Sequence, residues 1–292
     1  PLPIAGSFRA IDFSLSSMSN SHIQTVAILT QYNARSLNEH LSSAKWWNFG
    51  RKQGGLFLFT PTVTADNSDW YRGTADAMYQ NIDFLKRRHE PYVIISSGDC
   101  VYKLDFNRVL DFHIEKKSDI TVVCKDMMYN DDVSRFGVVR MDDESRITEF
   151  DEKPIEASSN TISTGIYVIR RRQLIELLEA AAEENRFDFV NDILVRYKNV
   201  KKIYGYKINS YWNNIADIDA YFKTNMDFLR PDVRSYFFKE EPTICSKVDD
   251  LPPAKFNPGS DISNSLVSSG CIINGSVEDS VLFKQVFVGK NT

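Results

Sequence analysis

The feature that most narrows the fold of this chain is the alternation of short apolar runs with amphipathic stretches through its first two-thirds. "TVAILTQY" (25–32) is β-branched and apolar, as a strand requires, and "ARSLNEHLSSA" (34–44) behind it reads as a helix. "TADAMYQNIDFLKRRHE" (74–90) repeats its apolar residues near the helical period, with Thr74 placed as N-cap. "PYVIISSGDC" (91–100) is a continuous apolar run closed by a turn, the pattern of a strand buried in a parallel sheet. A helix ("DFNRVLDFHIEKK"), a strand ("DITVVCKD"), a hairpin ("GVVRMDDESRITEFDEKP") and a strand ("TGIYVIRR") continue the series. Two helices ("QLIELLEAAAEEN", "FDFVNDILVRYK") and a strand ("VKKIYGYKI") complete it. Strands separated by helices predict an open, mostly parallel α/β sheet, whose ligands lie beyond the carboxyl ends of the strands.

Past about Arg230 the helical periodicity disappears, and "LPPAKFNPGS" (251–260) reads as a Pro-rich linker. "NSLVSSGCIING" (264–275) then lies over "DSVLFKQVFVGK" (279–290) at an offset of 15 residues, with apolar pairs in register. Short strands repeated with Gly and Asn at the corners predict a β-helix, in which each coil buries one face on the next. Two coils are too few to stand alone, so more chain is expected beyond them or the sheet domain caps the stack. The expected organisation is an α/β domain over 1–230, a linker over 231–260 and the start of a β-helix over 261–292.

Composition excludes several classes. The 19 Phe, 13 Tyr and 4 Trp among 292 residues are too many aromatics for a disordered chain. A net charge of −4 with no basic stripe argues against nucleic acid, while leaving room for a locally basic pocket that takes a phosphorylated small molecule. Cys100, Cys124, Cys245 and Cys271 stand far apart with no metal spacing, so neither a disulfide framework nor structural zinc is expected, and a reducing cytosol fits best. No apolar run approaches the ~18 residues of a membrane helix, and neither a signal peptide nor a membrane partner is expected. The chain opens at Pro1 and stops at "VGKNT", and is read as a fragment or the ordered part of a longer protein.

Three stretches carry chemistry. In "DWYRGTADAMYQN" (69–81), Arg72-Gly73-Thr74 precedes a helix start, where free N–H groups and the helix dipole favour an anion; an ordinary Gly turn with a cap is the competing reading. In "SSGDCVYKLDF" (96–106), Asp99 follows a buried strand at the end where ligands bind, and could hold Mg²⁺ against phosphate oxygens or simply build a turn. Lys153, in the Glu152-Lys153-Pro154 end of the hairpin, could pair with a phosphate or be solvated. His22, His40, His89 and His113 have no triad or metal spacing and receive no role, and Trp46-Trp47 reads as packing.

In order along the chain, "FRAIDFSLSSMSNSHI", "TQY", "WYRGTADAMYQN", "GDCVYKLDF", "FGVVRMDDESRITEFDEKP", "STGIYVI", "YWNNIADIDAYFKTNMDFL", "LPPAKF" and "NSLVSSGCIINGSVEDSVLF" resemble ADP-glucose pyrophosphorylase (glucose-1-phosphate adenylyltransferase) of bacterial glycogen synthesis. The likeness spans nearly the whole chain. It implies a Rossmann-like nucleotidyltransferase domain followed by a left-handed β-helix, usually in a tetramer. The family makes ADP-glucose and pyrophosphate from ATP and glucose 1-phosphate. The sugar phosphate is already an anion, so no general base is needed; Mg²⁺ and cationic side chains act by positioning and electrostatics. The resemblance implies that Asp99 is one of two metal aspartates. It further implies that Gln31, Gly73 and Thr74 face the nucleotide, and that Gly137, Glu152, Lys153 and Ser163 face the glucose phosphate.

The second aspartate belongs to a family corner "YWRDVGT", which here reads Tyr211-Trp212-Asn213-Asn214-Ile215-Ala216-Asp217. Asn214 therefore stands at the metal position. Its amide oxygen brings no charge, so Mg²⁺ is expected to be weak or absent in this chain. "GDC" replaces the family's "GDH", Ser17 stands where "LSN" has an amide, and the Gly-rich phosphate loop is expected before Pro1 or not at all. The pattern resembles the non-catalytic, GlgD-type subunit that pairs with a catalytic subunit in a mixed tetramer. Three readings stay open: a regulatory subunit, an active adenylyltransferase that tolerates Asn214, and a sugar-phosphate or nucleotide sensor without turnover.

Overall fold

The computed structural model of the chain describes residues 2–50, 54–62, 70–128 and 131–292. Asp69, which opens the 69–81 stretch, lies outside the described residues. A short ribbon of β1 (Pro3–Ile4) and β2 (Phe8–Arg9) leads into α1 (Ala10–Asn20). A parallel pair, β3 (Thr25–Leu29) and β4 (Gly55–Phe59), flanks α2 (Ala34–Leu41). The long helix expected over 74–90 is two pieces, α3 (Thr74–Gln80) and α4 (Ile82–Lys86). The break falls at Asn81, whose side-chain amide donates to the Ala77 carbonyl at 2.9 Å and to the Tyr71 hydroxyl at 3.0 Å.

The main sheet is built from β5 (Tyr92–Ser96), β7 (Ile120–Asp126), β8 (Gly137–Met141), β9 (Ile147–Glu152), β10 (Thr161–Arg170) and β11 (Ile203–Lys207). Between β5 and β7 lie the short β6 (Cys100–Tyr102) and α5 (Phe106–Glu115), while α6 (Arg171–Glu183) follows β10. β7 is buried from Ile120 to Cys124 because both its faces are covered there. Ile120, Val122 and Cys124 face the cluster that holds Leu174, Leu177 and Leu178 of α6, whereas Val123 faces Phe106 and Val109 of α5. The result is an α/β/α layering around a two-sided sheet.

The sheet is mixed rather than mostly parallel, which corrects the expectation from alternation. β11 pairs with β7 in parallel, but β10 runs antiparallel to β5, β7 and β8, and β8 to β9. The cause is the connection. The β8–β9 hairpin reverses the chain, and the loop over 153–160 carries it past β8, so β10 keeps the direction of β9 and runs against β8, β7 and β5.

β12 (Trp212–Asn214) pairs antiparallel with β6, and α7 (Ile218–Asp227) follows, its N-terminus capped by Asp217, which accepts from the Ala220 N–H at 2.7 Å. A further helix, α8 (Pro231–Phe238), begins where helical periodicity had been expected to end. Pro231 opens this helix, a position where a missing N–H costs nothing. Val233, Phe237 and Ile244 join Ile4, Phe13, Val101, Ile215 and Phe228 in one buried cluster, so the segment after 230 is packed rather than slack.

Beyond it the chain returns beside itself in three short parallel ladders. They are β13 (Lys255–Phe256) with β16 (Ile272–Ile273) and β19 (Phe287–Val288), β14 (Asp261–Ser263) with β17 (Ser276–Glu278), and β15 (Leu266–Val267) with β18 (Val281–Leu282). Register partners such as Leu266 and Val281 keep the spacing of the sequence repeat. The corners repeat as well. Asn264 and Asp279 are left-handed at φ 38° and 45°, Gly270 and Gln285 at 78° and 62°. Cys271, Ile273 and Val277 fill the interior.

Candidate active site

β5 carries the chain to Ser97, Gly98 and Asp99, and the β6–β12 ladder places Asn214 opposite Cys100. The Ile215 N–H donates to the Asp99 carbonyl at 2.9 Å, so positions 99 and 214, remote in sequence, are fixed side by side. The Asp99 carboxylate accepts from the Ser97 hydroxyl and, at 3.5 Å, from the Cys100 thiol. Burial, reinforced by the Asp99 charge, pushes the Cys100 thiol well up and keeps it a donor. Asn214 closes the set. Its Nδ2 donates to Cys100 Sγ at 3.6 Å, and its Oδ1 accepts from the Ala216 N–H at 2.9 Å.

Asn213 is tied down beside it, donating to the Tyr211 hydroxyl at 2.7 Å and to Asp227 at 3.3 Å. Tyr211 in turn donates to Asp227 at 2.8 Å, and burial followed by that carboxylate raises its hydroxyl far above the usual range. Asp217 also pairs with Arg135, joining the corner to the chain that enters β8. A divalent cation at this corner would find one carboxylate and one amide oxygen, both already accepting hydrogen bonds. Among the described residues no three His, Cys, Asp or Glu side chains gather where they could hold a metal ion. Mg²⁺ is usually bound by one or two carboxylates together with substrate phosphates, so this corner offers it one negative charge where two carboxylates would offer two.

The second group forms at the β8–β9 hairpin. Gly137 pairs with Glu152 across the strands, and a Cβ at Gly137 would lie 2.9 Å from Glu152 Oε2. A Cβ there would crowd both that carboxylate and the Phe150 ring, also at 2.9 Å. Lys153 turns in a left-handed conformation at φ 50°, its N–H donating to the Phe136 carbonyl at 3.1 Å. Its ammonium stands 3.7 Å from Glu152 Oε1, with the lysine side chain 65% exposed and the glutamate 17%. Burial raises the Glu152 pKa against the pull of Lys153. Ser163 is buried on β10, 3.3 Å from the Tyr167 hydroxyl across a bulge that Gly165 makes at φ 75°. Burial raises the Tyr167 hydroxyl, and the charges of Glu152 and Asp188 add to it. Neither Tyr167 nor Asp188 carries a sequence signal, because Tyr167 reads as an ordinary core position.

The third group, Gln31, Gly73 and Thr74, corrects two expectations. Thr74 is not the N-cap of α3; Gly73 is, and the Thr74 hydroxyl oxygen accepts from the Phe189 N–H at 3.0 Å. The N–H groups expected to be free for an anion are occupied, since the Phe187 carbonyl accepts from Ala75 at 2.8 Å and from Asp76 at 3.2 Å. A Cβ at Gly73 would lie 2.3 Å from that carbonyl oxygen, so the glycine is set by close backbone approach. Arg72 covers the Phe187 ring, 3.8 Å from its centre, and its N–H donates to Asp76 at 2.8 Å. Tyr32 stacks on Trp70 at 5.0 Å, bringing the Gln31 strand end beside this stretch, and the buried Gln31 Oε1 has no partner among the described residues.

The histidines without an assigned role are structural where they are buried. His40 Nε2 lies 2.6 Å from Asp12 Oδ1, and His113 Nδ1 lies 2.8 Å from the Thr121 hydroxyl. Trp47 is buried and donates to the Cys245 carbonyl at 3.2 Å. Among the described residues no helix is long and apolar enough to cross a membrane.

Residues 1–230 match the family model described as Nucleotidyl transferase, and the chain belongs to that family. Within it the chain is 38% identical over 294 residues to a glucose-1-phosphate adenylyltransferase of Clostridium acetobutylicum, covering 100% of this chain and 77% of that protein. The glucose-1-phosphate adenylyltransferase of Bacillus subtilis is 37% identical over 290 residues, covering 98% and 76%. That of Pseudothermotoga lettingae is 38% identical over 293 residues, covering 99% and 69%.

Proposed function

We propose that this chain is a regulatory subunit of glucose-1-phosphate adenylyltransferase, the enzyme that converts ATP and glucose 1-phosphate to ADP-glucose and pyrophosphate in glycogen synthesis. The similarity to adenylyltransferases over the whole chain supports the reaction class. The observation that carries the regulatory reading is the corner of Asp99 and Asn214, where one carboxylate stands and the amide is turned inward onto Ala216 and Cys100. Such a corner holds Mg²⁺ weakly or not at all, and the catalytic subunit of a mixed tetramer supplies the chemistry. The parallel ladders after residue 254 are the first coils of a left-handed β-helix, and that surface and the sheet domain meet the partner.

The binding groups that remain give the pocket a use without turnover. Gly137, Glu152 and Lys153 converge on one hairpin end, where Lys153 meets the phosphate and Glu152 the hydroxyls of glucose 1-phosphate. Ser163, buried on β10 beside the Tyr167 hydroxyl, completes that group in this reading. The unpartnered Gln31 Oε1 suits an amino group of the adenine ring, and Gly73 and Thr74 shape that wall. This ligand-holding capacity also favours a second reading, a sugar-phosphate or nucleotide sensor.

The experiment is reconstitution. Mixing this chain with a catalytic adenylyltransferase subunit is expected to yield a hetero-oligomer by light scattering and a changed kcat or KM for ATP. Ligand-induced thermal shifts with no hetero-oligomer and no kinetic change would favour the sensor instead.

A further inference from the structure

A groove of about 370 Å³ opens at the far end of the sheet from the candidate active site. It is lined by His89, Pro91, Tyr92, Arg170, Arg171 and Arg172. Tyr92 and Arg170 are cross-strand partners at one end of the β5–β10 pair, and Ser96 and Ile166 are partners at the other, from which the chain runs on to Asp99. The two sites therefore share strands and not walls.

The groove is cationic by construction. Arg171 is anchored by its Nε to the Glu90 carbonyl at 2.9 Å and by an Nη to the Leu85 carbonyl at 3.1 Å, which fixes the plane of its guanidinium. Arg170 and Arg172 are exposed and make no ion pair among the described residues. The carboxylate adjoining the lining in sequence, Glu90, is exposed and accepts from the His89 N–H at 3.1 Å. His113, whose ring meets Tyr92 edge-on at 5.4 Å, is held at a pKa of about 4 mainly by burial, with Arg170 lowering it further and Asp119 opposing. Planar guanidinium forks suit phosphate oxygens, and the volume falls in the range of small-molecule sites. Pro91 and Tyr92 supply an apolar wall for the body of such a molecule.

We propose that this groove is a second ligand site of the chain, binding a small phosphate-bearing anion. The test is titration of the intact protein with inorganic phosphate at constant ionic strength, read by calorimetry. Three proteins are compared: wild type, the Arg170→Glu/Arg172→Glu double variant, and Lys153→Ala, which alters the candidate active site instead. Saturable binding that weakens at least tenfold in the double variant and persists in Lys153→Ala is expected. Equal binding by wild type and double variant overturns the proposal. So does the absence of saturable phosphate binding, including the case in which the groove takes only an acidic protein surface. Should the double variant lose its folded circular-dichroism spectrum, Arg172→Gln alone replaces it, with at least threefold weakening expected and no change overturning the proposal.

Discussion

Both ends of the Asn214 amide are engaged within its own corner, and that engagement decides what a single substitution there can do. Asn214→Asp keeps an acceptor for the Ala216 N–H but removes the donor to Cys100 Sγ and sets a second carboxylate beside Asp99. The variant is expected to melt below wild type without divalent cations and to recover with millimolar Mg²⁺, because like charges at close range need a counter-ion. It is not expected to gain catalytic turnover, since Asn213 and Ala216 are also altered; strong activity from that one change contradicts this account of the corner. His113 governs a different response. Burial lowers its pKa from 6.5 to about 4, so the unfolded chain binds a proton that the folded chain refuses. The stability it contributes is complete above about pH 6.5 and is lost as pH falls toward about 4, amounting to roughly 3 kcal/mol across that window. Urea midpoints at pH 7 and pH 5 should therefore fall further in wild type than in His113→Gln. Equal falls in both proteins would show that His113 does not titrate this way.

At the scale of elements, the start of α3 is held by a carbonyl from a segment remote in sequence. Gly73→Ala drives a Cβ to 2.3 Å from the Phe187 oxygen, and is expected to cost about 1–3 kcal/mol in chemical denaturation. Gly98→Ala, whose new Cβ meets only the Ile11 side-chain tip at 3.3 Å, should cost clearly less. That same contact explains what the sequence could not disclose. "RGTAD" reads as an open anion-binding helix start because Phe187 leaves no trace in the local pattern. The apolar runs of β5, β7 and β10 were legible because both faces of those strands pack against apolar neighbours, but their directions were not. Direction depends on the connection: the β8–β9 hairpin reverses the chain, and β10 keeps the direction of β9. α8 was missed because helical periodicity reads as ending near Arg230, although Pro231 opens a helix there. The ladder period survived intact, since each coil must bury the same positions. Of the site, the inward turn of Asn214 and the pairing of Ser163 with Tyr167 depend on packing and leave no mark in the local pattern.

Across the whole molecule, the aromatic cluster around α8 ties the corner to both the start of the chain and the segment past residue 230. Phe237 is fully buried, edge-on to Phe13 at 5.3 Å and to Tyr211 at 5.3 Å, and Tyr211 is the residue that holds Asn213. Phe237→Ala is expected to cost about 3–5 kcal/mol, read as a shift in the denaturation midpoint, whereas loss of a mere linker contact would cost almost nothing. The central claim is that a sound nucleotidyltransferase scaffold has lost the charge at its metal corner. The direct measurement is pyrophosphate release by the isolated, folded chain given ATP, glucose 1-phosphate and Mg²⁺. The account predicts no release above background, with activity appearing only when a catalytic subunit is added. Sustained release by the isolated chain at the rate of a catalytic relative would contradict it.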